Sequence, residues 1–135
     1  MALTLERSLD LGHDTQAAAG ARDATLRFLE DSALAGSPVP RTTGDIALLV
    51  VSELVTNAVR HTSGPCSLRL SRSATSVDID VTDTSPDPPV IRPPHIDGSG
   101  GWGWILVNHL VEDVTVRPAD GGGGKTVHAR IAESD

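Results

Sequence analysis

The pattern of residues 42–61 constrains the fold of this chain most, because it predicts a long amphipathic helix. At about 100° per residue, its apolar side chains fill one arc of roughly 140°, which marks the face to be buried. That face comprises Ala47, Leu48, Val51, Leu54, Val55, Ala58 and Val59. Glu53 and Asn57 point nearly opposite, one helical turn apart, so their side chains stack on one face. Further apolar residues lie upstream on that side, which suits a polar pair in the wall of a pocket.

Alternation with a period of two predicts strands elsewhere in the chain. Leucines at even spacings in residues 3–11 predict a strand near the N-terminus. Residues 66–70 and 77–81 alternate in the same way, and the short polar turn between them predicts a hairpin. Two more strands are predicted at residues 114–116 and 126–131.

Two further helices complete the predicted set of elements. Asp14 opens the first, in which apolar residues recur at helical spacing as Ala17, Ala21, Ala24 and Phe28. Thr42 and Asp45 have the spacing of a capping box and so begin the long helix. The apolar run 104–111 predicts a short buried helix. The resulting order predicts an α/β fold with helices on one face of a mixed, mostly antiparallel sheet.

The composition restricts the class of function. A net charge of −7 argues against a nucleic-acid binder, because phosphate backbones require a basic face. No apolar run approaches the roughly 20 residues that cross a membrane, and the N-terminus lacks a secretion signal, so we expect a cytoplasmic protein. The 135 residues fit one domain, 1–135. The single cysteine, Cys66, excludes an internal disulfide.

Polar features of the chain supply the parts of a nucleotide site. Asp83 ends a predicted buried strand, where a carboxylate can accept a hydrogen bond from an exocyclic amine such as that of adenine. The glycine-rich residues 98–103 let backbone amides approach a ligand, and the following helix N-terminus favours an anion. Glu53 can take a proton, and Asn57 can offer a neutral oxygen to Mg²⁺. The loop 84–101 is of a length that is usually functional or mobile.

The combination and order of these motifs resemble the GHKL ATPase superfamily. More closely, the chain is similar to the small, single-domain anti-sigma-factor serine/threonine kinases of actinobacteria. The resemblance covers residues 3–131 and rests on four segments. They are Ser52-Glu53-Leu54-Val55-Thr56-Asn57-Ala58-Val59-Arg60-His61, Val81-Thr82-Asp83, Gly101-Trp102-Gly103-Trp104-Ile105-Leu106-Val107 and Gly123-Gly124-Lys125-Thr126-Val127.

The resemblance implies a Bergerat fold, a two-layer α/β sandwich that holds ATP between sheet and helices under a lid at about residues 84–101. It implies that Glu53 accepts the proton of an attacking hydroxyl, that Asn57 is the Mg²⁺ ligand and that Asp83 bonds the adenine amino group. Phosphoryl transfer needs mainly positioning and charge neutralisation, so a small site suffices. The other implied nucleotide contacts are Arg60, Ser85, Gly101, Trp102, Gly103 and Thr126, with Thr126 on the adenine side.

The resemblance also implies two protein partners: a sigma factor that is bound and silenced, and an anti-anti-sigma antagonist phosphorylated on serine. A homodimer is a further expectation. Ser85 stands where the wider superfamily has a glycine, and Trp102 stands where relatives carry arginine. Trp102 therefore keeps open an alternative, a catalytically weak partner-binding module with ATP as a switch or no nucleotide. A solo histidine-kinase ATPase module is less favoured, since no dimerisation helix precedes the domain.

Overall fold

The structure, a computed structural model, describes residues 5–12, 16–62, 64–85, 103–119 and 123–133. Three helices and five strands follow one another in the predicted order. They are β1 (Leu5–Leu11), α1 (Ala17–Leu34), α2 (Arg41–His61), β2 (Cys66–Arg72), β3 (Ser76–Asp83), α3 (Gly103–Leu110), β4 (Asp113–Pro118) and β5 (Lys125–Ala132). The predicted two-layer α/β arrangement is confirmed. The predicted helix start at Asp14 and most of the predicted lid lie outside the described residues.

The five strands form one sheet in the order β1-β2-β3-β5-β4. Every described pair of neighbouring strands is antiparallel, so the prediction of a mixed sheet is wrong. The reason is the position of β5. Strands β3 and β4 run in the same direction, but β5 lies between them and pairs with both, so no parallel pair forms.

The two faces of the sheet differ in polarity, as the period of two predicts. The face that packs on the helices carries the buried residues Leu68, Leu70, Val77, Ile79, Val81, Val127, Ala129 and Ile131. The outer face carries charged and hydroxyl side chains, which pair across the strands. Arg69 bonds Glu6, and Arg130 makes two hydrogen bonds with Asp78. The hydrophobic core therefore lies in a single layer between the sheet and α1 and α2.

Helix α2 is the centre of that layer, and its burial differs from the prediction in detail. Val50 is fully buried, whereas Leu48 and Val59 are half-buried, so the buried face is turned toward the side of Glu53. The helix begins at Arg41 after Pro40, whose carbonyl accepts the Gly44 amide at 2.9 Å. The predicted capping box is therefore wrong. Residues 41–60, with a mean hydropathy of 1.2, are long and apolar enough to cross a membrane, but a core helix passes the same test.

The two smaller predicted helices also form, with corrections to their buried faces. In α1 the buried stripe includes Thr25 and Ser32, while Ala24 is half-buried. These hydroxyls are tolerated because each donates to a backbone carbonyl, Thr25 to that of Ala21 at 2.8 Å and Ser32 to that of Ser37. In α3, whose side chains are described from residue 105 onward, only Val107 is fully buried. The prediction of a buried helix therefore holds for one face of α3 at most.

Candidate nucleotide site

The candidate site lies where the C-terminal end of α2 meets the end of β3. Gly64, which follows α2 closely, approaches Thr84 so tightly that an added Cβ would lie 2.5 Å from the Thr84 hydroxyl oxygen. Among the strands, α2 packs mainly on β3 and next on β5. Thr84 follows directly after Asp83, so the end of α2 and the end of β3 are brought together. This contact brings the end of the helix that carries Glu53 and Asn57 to the strand end that carries Asp83.

On α2, Glu53 lies about two helical turns and Asn57 about one turn before the end of the helix at His61. Both side chains are half-buried, and Val50, one turn before Glu53 on the same side, is fully buried. Among the described residues, neither side chain has a hydrogen-bond partner. Arg60, one turn after Asn57, is exposed. The helix thus offers a carboxylate and a carboxamide whose hydrogen-bonding capacity is unused by the described part of the chain.

Asp83 is buried at the end of β3, as the sequence predicts, and both of its oxygens are bonded. Its Oδ2 accepts from Lys125 Nζ at 2.8 Å, and its Oδ1 accepts from the backbone amide of Ser85 at 2.9 Å. The side chains of Asp83 and Lys125 are only 3% and 7% exposed. Ser85, a predicted contact, thus reaches Asp83 through its backbone, in the turn that its sequence favours.

Asp83 is the centre of a row of side chains across the helix-facing side of the sheet. Lys125 is its register partner on β5, and Cys66 occupies the equivalent place on β2, one position beyond the pair Ser67 and Thr82. Burial, and secondarily the charge of Asp83, raises the pKa of the Cys66 thiol. The Cys66 Sγ lies 3.7 Å from the Gly12 carbonyl oxygen, to which it donates.

Gly124 is required for this row to form. An added Cβ at this position would lie 2.1 Å from the Asp83 carbonyl oxygen, a distance that no side chain can occupy. The glycine before β5 therefore lets the strand start directly against the backbone of Asp83. The sequence signal for this role is the glycine run that precedes Lys125.

Thr126 lies on the opposite face of the sheet from Asp83. Its hydroxyl and that of Thr82 are 2.7 Å apart, and the two residues are register partners. Both line a depression of about 280 Å³ on the outer face, with Arg69 and Arg117 at its sides. Thr126 therefore does not accompany Asp83 as expected, because strand side chains alternate between faces. Lys125, the preceding residue on β5, lies beside Asp83 instead.

Lys125 is the residue that the sequence reasoning missed. It has the same parity as Val127, Ala129 and Ile131, all of which face the helices. That parity was a signal for a core-facing lysine, and such a residue needs a partner because an unpaired buried charge is costly. The remaining predicted contacts Gly101 and Trp102 lie outside the described residues. Gly103 is the first residue of α3.

The side chains at the candidate site provide oxygen donors of the kind that Mg²⁺ and ATP require. No group of three or more His, Cys, Asp or Glu side chains suited to a metal ion occurs in the described ranges. Mg²⁺ does not need such a group, since it usually takes one or two protein oxygens together with substrate phosphates and water. By donor chemistry, the Asn57 carboxamide, which has no partner among the described residues, suits Mg²⁺, and the buried Asp83 carboxylate suits the amino group of adenine.

Comparisons with known proteins bear on the family and the fold of the chain. The sequence matches the family described as the histidine kinase-like ATPase domain over residues 15–131. Among solved structures, the fold is similar to the crystal structure of the RsbU and RsbW domains of Rv1364c from Mycobacterium tuberculosis. The TM-score is 0.65 at 19% identity, and the match covers 96% of this chain and 32% of that chain. The chain thus spans about a third of the length of the chain that it matches. No curated protein shows a significant match.

Proposed function

The chain belongs to the histidine kinase-like ATPase domain family, and from this premise we propose that it is an ATP-binding anti-sigma-factor serine/threonine kinase. The resemblance of its motifs to the small actinobacterial kinases supports the proposal. The similarity in fold to a protein that contains an RsbW domain agrees with it. The proposed partners are a sigma factor, which the protein binds, and an anti-anti-sigma factor, which it phosphorylates on serine.

One observation carries the proposal. Two half-buried side chains without described partners, Glu53 and Asn57, lie in the C-terminal half of α2, whose end meets the strand end that holds the buried carboxylate of Asp83. A solvated helix face would expose Glu53 and Asn57, and a purely structural aspartate at a turn has no need to be buried. A nucleotide site accounts for both observations. The Asp83 carboxylate would bind the nucleobase, and Glu53 and Asn57 would face the phosphates.

Each of these residues has a role in the proposed reaction. The carboxamide oxygen of Asn57 would hold Mg²⁺, which neutralises charge on the phosphates when bound. Glu53, one turn earlier, accepts the proton of the substrate serine as its oxygen attacks. Asp83 accepts a hydrogen bond from the adenine amino group, and the exposed Arg60 contacts phosphate or a partner. Gly101, Trp102 and Gly103 would line the phosphates.

The proposal is tested by separating nucleotide binding from phosphoryl transfer. Trp102 and Trp104 are the only tryptophans, and the chain has no tyrosine, so their fluorescence reports an ATP titration without interference. Glu53→Gln should lower transfer of radiolabelled phosphate from ATP to anti-anti-sigma proteins by about 10²- to 10⁴-fold, because a general base is removed. Its affinity for ATP should remain within a few-fold of the wild-type value.

Asp45→Asn is the matched control for this experiment. Asp45 is the other carboxylate of α2, and it is exposed near the opposite end of the helix. We expect transfer by this variant to equal that of the wild type. Full turnover in Glu53→Gln would show that the base is assigned wrongly, and the absence of any ATP-dependent signal would refute the nucleotide site itself.

A second candidate function is supported by the ion pair at Asp83. Lys125 already bonds the carboxylate that should receive the nucleotide base. If the protein is a partner-binding module that uses ATP as a switch, or that binds no nucleotide, Asp83 can be paired permanently with Lys125. In that case Lys125 would compete with the base, and its removal would strengthen ATP binding.

A further inference from the structure

Lys125 and Asp83 form a buried ion pair on the otherwise largely apolar, helix-facing side of the sheet. The positions around it on the same face, such as Val81 and Val127, are buried and apolar. Replacing a buried ion pair with well-packed apolar residues is often neutral or stabilising, because both charges must be stripped of water. The ion pair is therefore better explained by what it presents at the end of the sheet than by its effect on folding.

The pair presents an unused acceptor beside an unused donor. A carboxylate can accept about four hydrogen bonds, and Asp83 accepts one from Lys125 and one from the Ser85 amide. An ammonium group has three N–H donors, and within the described residues Lys125 uses one of them. With 2.8 Å between Nζ and Oδ2, both groups can contact neighbouring atoms of one planar ligand.

Adenine carries the complementary pair of groups along one edge. Its exocyclic amine is a donor, and the adjacent ring nitrogen N1 is an acceptor. We infer that Lys125 is a base-recognition residue, which donates to adenine N1 while Asp83 accepts from the amino group. This inference rests on the proposed ATP site, and it adds the residue that would make the site specific for adenine. Lys125 therefore contacts the adenine directly through a charged hydrogen-bond donor, and it does not compete with the adenine for Asp83.

The inference is tested by removing either partner of the proposed hydrogen bond. In 1-deaza-ATP a C–H group replaces N1, so the amino group is kept and the acceptor is lost. By calorimetry, the wild-type protein should bind 1-deaza-ATP about 10- to 100-fold more weakly than ATP, the usual effect of losing a hydrogen bond to a charged group. Lys125→Met keeps the length of the side chain without the donor, and it should bind both nucleotides with nearly equal affinity.

Arg117→Met provides the matched control. Arg117 pairs with Thr126 in the register and lines the depression on the outer face, so its charge lies on the other side of the sheet. This variant should discriminate between ATP and 1-deaza-ATP as strongly as the wild type. Lys125→Arg, which keeps a charged donor, should retain part of the discrimination.

Different failures have different meanings. Equal affinity of the wild-type protein for ATP and 1-deaza-ATP would overturn the role of Lys125 and leave ATP binding intact. A gain in ATP affinity by Lys125→Met would overturn it as well, because the lysine would then block the base. The absence of heat with ATP itself would refute the proposed function and the inference together. If Lys125→Met does not fold, the comparison of the two nucleotides on the wild-type protein still decides the question.

Discussion

At the scale of single residues, the candidate site depends on a backbone contact so close that only glycine fits at position 124. Gly124 touches the backbone of Asp83, and Lys125 follows it directly into the ion pair with that residue. A change of one atom at Gly124 therefore moves the start of β5 relative to the end of β3. The same displacement would separate Lys125 from Asp83.

Gly124→Ala should lower the free energy of unfolding by about 1–3 kcal/mol, the usual cost of overpacking a site that cannot relax easily. Urea denaturation measures this change. Gly20→Ala is the matched control, because Gly20 lies within α1 and an added Cβ would meet only Leu11, at an ordinary 3.9 Å. It should raise stability by roughly 0.5–1 kcal/mol through helix propensity. Equal effects of the two substitutions would contradict the close approach of Gly124.

At the scale of elements, a buried arginine ties the connection between α1 and α2 to the sheet. The side chain of Arg72, at the end of β2, is only 2% exposed. It donates to the carbonyls of Ser37 and Pro38 and pairs with Glu133 at 3.3 Å. Since α2 begins at Arg41, shortly after these carbonyls, Arg72 fixes where the central helix starts over the sheet.

Arg72→Ala should destabilise the protein by roughly 3 kcal/mol, because a buried charged partner is removed and the groups it satisfied are left without it. Arg69→Ala, on the same strand, is the control. Arg69 pairs with Glu6 on the outer face with both side chains about half exposed, so its loss should cost at most about 1 kcal/mol. The comparison requires only the urea midpoints and slopes of the three proteins. Similar losses in the two variants would argue against Arg72 as an anchor.

The elements themselves could be predicted from the sequence, because their signals are local. Periodicity located α2, the β2–β3 hairpin and the core faces of β2, β3 and β5, and it placed Asp83 at a buried strand end. Which strands pair, and what lies opposite a given residue, depends on contacts distant in sequence. For that reason the sequence reasoning expected a mixed sheet and assigned Thr126 to the base, whereas the register brings Lys125 to Asp83.

At the scale of the whole molecule, the pH dependence of unfolding should report the environment of Cys66. Burial, and secondarily Asp83, raises the pKa of this thiol above its usual value of 9.0. As pH rises through that value, the thiol of the unfolded chain loses its proton while the folded chain retains it. The contribution of this thiol to the free energy of unfolding is therefore fully present below pH 9.0 and decreases above it. For one group the decrease is at most about 1.4 kcal/mol per pH unit.

Unfolding of the wild type and of Cys66→Val between pH 7 and pH 10 isolates this contribution, since all other titrating groups are common to both proteins. The difference between their unfolding free energies should be constant up to about pH 8. Above that, the difference should shift in favour of Cys66→Val, which has no thiol to ionise. Parallel curves over the whole range would show that the thiol titrates alike in both states.

The single hydrophobic layer has a consequence for how a ligand and the fold affect each other. One face of the sheet is polar and internally paired, so all of the core lies between the other face and the helices. The candidate site occupies the end of that layer. A bound nucleotide would therefore pack against the edge of the core, and its binding would raise the free energy of unfolding. Ligand concentration would then set the free energy of unfolding of the chain as well as its activity.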